Sequence, residues 1–340
     1  MAQSERGRMV SVSQGGKSIP HSKEHAERNM DITIVIPVYN RRGLIKRTLQ
    51  SILHSPYGSV PLIVVDNGST DGTLDILQEY SAAYPFISIA HEPQRNAAAA
   101  RNKGLSLVKT TWVYFFDSDD EFEDLPHYWN SDVDMVAFPT RQKVEGKISV
   151  RTYRESADPA VHILNGMLNT ISMIFRATWL KEIGGWNTNC RIWDDWELGA
   201  RALMSVPRLQ WITDKPYHTI NVHSDSLTGP TFKSRYKLQL DAIKEVLDDA
   251  GRTDENICDR CHKALMLRTY ILSGKLLYEG DRKASAECRQ FIDEKFGKKP
   301  SGSILGKFLE QYTALGLHGA WRIALRYVTN SKYDEDSADR

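Results

Sequence analysis

Ile32-Thr33-Ile34-Val35-Ile36-Pro37-Val38 is a mainly β-branched run with no polar face. A strand that buries one face alternates apolar and polar residues. An unbroken run belongs to a strand covered on both sides, at the centre of a sheet with helices above and below. The stretches that follow repeat the same demand. Leu44, Ile45, Thr48, Leu49 and Ile52 recur at helical spacing, and Leu62-Ile63-Val64-Val65 reads as a second strand. The turn formers Asp66-Asn67-Gly68-Ser69-Thr70-Asp71-Gly72 then lead into a helix over 73–84. A third strand over 87–90, an Ala-rich helix over 96–108 and a fourth strand, Trp112-Val113-Tyr114-Phe115-Phe116, complete the series. Such alternation requires right-handed crossovers and a mostly parallel sheet. Ligands of these sheets bind beyond the carboxyl ends of the strands, where Asn40, Asp66 and Asp117 all fall.

The fourth strand ends abruptly in Asp117-Ser118-Asp119-Asp120-Glu121. Two carboxylates 4 Å apart repel by roughly 1 kcal/mol in water and about 4 kcal/mol at an effective dielectric near 20. Something positive among them relieves that repulsion. Carboxylate oxygens at i and i+2 past a strand end suit a hard divalent cation such as Mg²⁺ or Mn²⁺; a solvated acidic turn is the plainer reading.

Balanced charge, 44 basic against 43 acidic residues, gives no footing for a nucleic-acid partner. No apolar run approaches the roughly 20 residues that span a bilayer. Residues 1–29 hold no apolar core of a signal peptide and read as a disordered leader. Four cysteines fit a reducing compartment, hence a cytoplasmic protein.

Four stretches together resemble the ordered signature of the family 2 glycosyltransferases: Ile36-Pro37-Val38-Tyr39-Asn40, Val64-Val65-Asp66 through Thr73, Ala100-Arg101-Asn102-Lys103-Gly104, and Phe116-Asp117-Ser118-Asp119-Asp120. The resemblance covers about 31–228, although residues 96–99 lack the glycine often found there. It implies an inverting enzyme of bacterial glycan biosynthesis on a GT-A fold. That is a Rossmann-like, mostly parallel sheet flanked by helices over 30–229, here followed by a helical region over 230–330 and a disordered tail over 331–340. It implies a nucleotide-diphosphate sugar donor. Pro37, Tyr39 and Asn40 would line the base, Asp66 would accept a base ring N–H, and Arg101 would lie near the nucleotide. Asp117 and Ser118 would meet the ribose or reach Mn²⁺ or Mg²⁺ through water, with Asp119 as direct ligand. Without the resemblance, these residues read as strand-ending turns, an Asx-rich helix entry and a solvated arginine.

Further on, residues 134–138 and 147–153 read as strands, and Gly184-Gly185-Trp186-Asn187 permits a tight turn. Trp193-Asp194-Asp195-Trp196-Glu197 opens a helix. Acids there favour the macrodipole, so helix capping is one reading. The other is the family's acceptor motif, with Asp195 as base, Asp194 and Glu197 in support, and Trp186, Trp193 and Trp196 as flat faces for sugars. The acceptor implied is a carbohydrate or lipid-linked glycan. Residues 217–228 resemble the family's closing motif, in which His223 would approach the metal; Asn221 replaces an arginine often found there. A phosphotransferase reading of Asp117-Ser118-Asp119 fails because such acid pairs follow the first strand. A non-catalytic sugar-nucleotide or glycan binder has no use for a base at Asp195.

The remainder reads as helices over 236–247, 263–278, 284–296 and 304–328. Cys258-Asp259-Arg260-Cys261-His262 matches a haem-attachment pattern without an export signal, and zinc lacks a clear fourth ligand. Phe308, Leu309, Tyr312, Leu315, Leu317, Trp321, Leu325 and Val328 interleave with Lys307, Arg322 and Arg326. That pattern suits either an amphipathic helix packed on the core or peripheral contact at the inner face of a membrane.

Overall fold

In the computed structural model, β1 (Ile32–Val38) is buried almost throughout, as its uniform apolarity requires. The described residues are 31–144, 146–151, 153–221, 232–298, 300 and 302–329. The expected leader, the boundary near 229 and the tail from 331 lie outside them, as does His223. β1 is followed by α1 (Ile45–Leu53), β2 (Leu62–Asp66), α2 (Thr73–Ala83), β3 (Ile87–His91), α3 (Ala97–Leu107) and β4 (Trp112–Phe115). These four strands pair in parallel. Next come β5 (Met135–Ala137), β6 (Arg141–Val144), β7 (Lys147–Val150), α4 (Pro159–Asn165), β8 (Met173–Arg176), α5 (Ala177–Glu182), α6 (Asp194–Met204), β9 (Leu209–Trp211) and β10 (Thr219–Asn221). The main sheet runs β3-β2-β1-β4-β8-β5-β9, and β10-β6-β7 form a second, smaller sheet. β8 is antiparallel to both its neighbours, so the main sheet is mostly parallel. β7 joins the small sheet instead of extending the large one.

The chain moves from β1 outward to β3 and then returns to the other side of β1. That reversal opens a crevice at the carboxyl ends of β1 and β4. Pro37 marks the place. Val35 O accepts from Phe116 N–H and Val38 O accepts from Asn67 N–H, so Pro37 faces the β4 side after β4 has turned away. Its missing N–H therefore removes no ladder bond from this central strand. Gly104 lets α3 lie close on the sheet, because a Cβ there would stand 2.3 Å from Val35 Cγ1.

The C-terminal helices are α7 (Tyr236–Ala250), α8 (Glu255–Tyr278), α9 (Arg282–Phe296), α10 (Ser303–Ala314) and α11 (Ala320–Thr329). The helical stretch expected over 304–328 is two helices, parted at Gly316 and Gly319, whose φ values of 77° and 85° suit glycine. One apolar cluster joins Val35, Phe115 and Phe175 in the sheet to Leu198, Ile243, Leu265 and Leu325 in the helices. Each such side chain contributes about 1.5–3 kcal/mol by leaving water. Sheet and C-terminal helices are thus sealed by a common core. Among the described residues no helix is long and apolar enough to cross a membrane.

Candidate active site

The loops after β1 and β2 are laced together by side chains. Asn40 takes a left-handed conformation, φ 48°, which asparagine tolerates better than most residues. Its N–H donates to Ser69 Oγ at 3.0 Å and its Oδ1 accepts from Thr70 N–H at 2.8 Å. Asp66 is buried; its carboxylate accepts from the N–H groups of Gly68 and Ser69 and lies 3.3 Å from His91 Nδ1. Gly68, at φ 83°, allows the loop to wrap that carboxylate. Tyr39 is exposed, with the Arg95 guanidinium 5.3 Å from its ring centroid.

Beyond β4 the chain leaves the extended conformation in a turn over 118–120, and its acids take different partners. Asp117 Oδ1 accepts from Arg101 Nη2 at 2.9 Å, while Asp119 Oδ2 accepts from Arg41 Nη2 at 3.2 Å. The cations that relieve the repulsion are arginines of the chain itself. Burial pushes the Asp117 carboxyl up, opposed by Arg101. Ser118 is buried, and its carbonyl accepts from Thr48 Oγ1. Asp120 is buried as well and accepts from both N–H and Nδ2 of Asn221. Burial, with Asp117 nearby, pushes it up to about 7. Asn221 thus holds this turn from β10.

α6 brings the second acid group. Asp194 Oδ2 accepts from Arg101 Nη1 at 2.5 Å, so buried Arg101 bridges Asp117 and Asp194, with its guanidinium 4.4 Å from the Trp186 ring centroid. Arg101, expected near the nucleotide, is the centre of this clamp. Both arms are already committed to carboxylates. Asp195 accepts from Thr170 N–H at 3.4 Å and from Trp196 N–H at 2.8 Å. Burial and then Asp194 push its carboxyl up to about 6, opposed by Arg151 and Arg101.

Glu197 does not support the acceptor. It is fully buried and pairs with Arg201 at 2.6 Å, and Arg201 in turn donates to the carbonyls of Ile183 and Gly185. The pair fastens the glycine turn to α6. Trp186 and Trp196 are buried too, so their faces pack protein and not sugar. Trp196 Nε1 donates to Ile163 O, and the Arg268 guanidinium stands 4.7 Å from the Trp196 ring and 4.4 Å from that of Trp193. Trp193 caps α6 at φ 58°, an uncommon conformation for so bulky a residue. His162 fixes the same turn. Leu168 N–H donates to Nδ1, so Nε2 carries the proton and donates to Trp196 O at 2.9 Å.

Asp117, Arg101, Asp194 and Asp195 therefore gather at one spot, and Tyr39, Asn40, Asp66, Arg41 and Asp119 line the crevice beside it. Among the described residues no three His, Cys, Asp or Glu side chains form a metal cluster. Asp117 and Asp119 fit a Mg²⁺ or Mn²⁺ held by one or two carboxylates and completed by substrate phosphates. Arg41, Arg151, Arg268 and His162 went unread in the sequence. Only Arg41, adjacent to Asn40, stood near a motif.

Residues 33–161 match the family model described as Glycosyl transferase family 2. Over that segment, less than half of its length, the chain is similar to glycosyl transferase family 2. The poly(ribitol-phosphate) beta-glucosyltransferase of Bacillus spizizenii is 30% identical over 165 residues, 45% of this chain and 26% of that protein. The chain spans less than half the length of the curated relatives it matches. S. aureus TarS 1-349 in complex with UDP-GlcNAc superposes with a TM-score of 0.60 at 16% identity, over 89% of this chain and 93% of that one. The mannosyltransferase PcManGT from Pyrobaculum calidifontis, in complex with GDP-Man and Mn²⁺, gives 0.52 at 17% identity, over 91% and 89%. At such identities the likeness is one of fold, and that fold is GT-A. The family 2 segment ends in α4, so Asp194 and Asp195 lie beyond it.

Proposed function

We propose that the chain is an inverting glycosyltransferase that moves a sugar from a nucleoside-diphosphate donor to a carbohydrate or lipid-linked acceptor. The observation that carries the reading is the Asp117–Arg101–Asp194 bridge, which sets Asp195 beside the crevice. The acceptor hydroxyl oxygen forms a bond to the anomeric carbon as the bond from that carbon to the phosphate oxygen breaks. The electron pair leaves with the diphosphate, and the hydroxyl proton passes to Asp195. Tyr39 and Pro37 flank the base, and Asp66 accepts its ring N–H, which favours uracil, thymine or guanine. The UDP-GlcNAc and GDP-Man bound by the fold neighbours are compatible with that preference. Asp119 would hold Mn²⁺ or Mg²⁺ directly once Arg41 yields, with Asp117 reaching it through water and His223 approaching the metal or the diphosphate. A bound cation supplies neutralisation of the diphosphate's charge. Inversion follows from the family resemblance. The reaction is placed in the cytoplasm, at the inner face of the membrane if the acceptor is lipid-linked.

A thermal-shift screen of nucleoside diphosphates and their sugars, with and without Mn²⁺, tests the reading. One nucleotide class should raise Tm, more so with metal. No shift from any of them would overturn it.

A further inference from the structure

The α10–α11 hairpin turns apolar side chains outward where the rest of the molecule buries them. Ile304 is 87% exposed, Leu315 76%, Phe308 53% and Leu317 45%. At about 100° per residue, positions 304, 308, 312 and 315 fall within roughly 80° of one another on α10. The Phe308 and Tyr312 ring centroids stand 6.0 Å apart. The opposite side of α10 is already occupied, because Leu309 and Thr313 are buried and Gly306 and Glu310 abut Tyr270 and Gly274 of α8. α10 is therefore apolar on two sides, and packing absorbs only one. The stripe read from the sequence is corrected at three positions, since Leu309, Leu325 and Val328 belong to the core.

Charge distinguishes the outer face further. Between Gly302 and Thr329 the sole acid is Glu310, which is buried and paired with Arg289 at 3.0 Å. Lys307, Arg322 and Arg326 are all exposed. Within 302–329 the cations interleave with large exposed apolar groups and no carboxylate is exposed, which complements an anionic lipid surface. A second copy of the same face would meet cations with cations. We propose that the α10–α11 hairpin docks the protein on an anionic bilayer surface, with Ile304, Phe308 and Leu315 entering the interface and Lys307 and Arg322 contacting headgroups. The proposal does not depend on the transfer reaction.

The test is flotation of the full chain with vesicles of phosphatidylcholine alone or with phosphatidylglycerol added, at low and high salt. The wild type should float only with phosphatidylglycerol and be released by salt. The Ile304→Ser/Phe308→Ser and Lys307→Glu/Arg322→Glu variants should each lose roughly tenfold or more in partitioning. Their positions are exposed, so Tm and the nucleotide-induced Tm shift should match the wild type, which separates this outcome from failure of the donor site. Absence of wild-type flotation on phosphatidylglycerol vesicles at low salt, or equal flotation of both variants, overturns the proposal. So does a lipid-free oligomer, seen by light scattering, that the Ile304→Ser/Phe308→Ser variant dissociates while leaving flotation intact.

Discussion

Asp195 is poised between burial, which favours its neutral form, and two arginines, which favour its charge. An ordinary aspartate titrates near 3.9; here burial and Asp194 hold the carboxyl up at about 6. A base must be ionised to accept a proton, so kcat/KM should climb with pH along an acid limb near 6. Asp194→Asn removes the neighbouring negative charge and frees an Arg101 arm, so the limb should move to lower pH. Asp195→Asn should abolish the limb and reduce kcat by roughly 10²–10⁴ while donor Kd stays the same. Stability has the opposite slope. Between about 4 and about 6 the folded carboxyl holds a proton that the unfolded chain has released, so this group's contribution to stability falls as pH rises through that window. Urea midpoints measured across it should decline less steeply in Asp195→Asn. An unchanged slope would mean that another carboxyl carries the burial penalty.

At the scale of elements, the crevice depends on how closely α3 approaches β1 and on what holds the turn after β4. Gly104→Ala places a methyl against Val35 and should cost about 1–3 kcal/mol, read as a lower urea midpoint at unchanged m. The turn itself is held by Thr48, Arg41 and Arg47 of the first βα unit. Asp119 is partly exposed and its carboxylate is shared with Arg41, so Asp119→Asn should leave Tm nearly unchanged without ligand. The same variant should lose the Mn²⁺-dependent part of the nucleotide Tm shift and lose transfer. Full activity in Asp119→Asn would remove this carboxylate from the metal's coordination.

Over the whole molecule, distant segments converge on the turn that opens α6. Arg268, from the middle of α8, stacks on Trp193 and Trp196 and donates to Ile163 O at 2.7 Å. The C-terminal helices thereby brace the turn that carries Asp194 and Asp195. Arg268→Ala should cost about 1–3 kcal/mol through the lost stacking and the lost hydrogen bond to Ile163 O, which keeps Trp196 Nε1 as a donor. Because the Trp193 turn loses its support, kcat should fall more than donor affinity. Equal losses in kcat and donor Kd would mean that α8 braces the entire sheet and not this turn.

Much of the site was legible from local chemistry. An unbroken β-branched run can only be a covered strand, and acids directly after such strands must lie on the sheet's carboxyl edge. Asn40, Asp66, Asp117 and Asp119 were therefore assignable to one edge before any coordinates. The start of α6 at Asp194 was readable because acids favour a first helical turn. Orientation was not readable. Arg101 lies 93 residues from Asp194, and only the tertiary fold that brings the start of α6 to Arg101 turns an apparently solvated arginine into a clamp. Glu197 belongs to the same short motif as Asp195, yet two residues along a helix is about 200° of rotation. That rotation sends Glu197 inward to Arg201 and leaves Asp195 by the crevice. Trp186 and Trp196 were ambiguous for the same reason, since an indole that stacks on a sugar and one that fills a core have identical local sequence. Periodicity determined where strands and helices begin; the exclusion of water in the packed chain decided which carboxylates kept a free face.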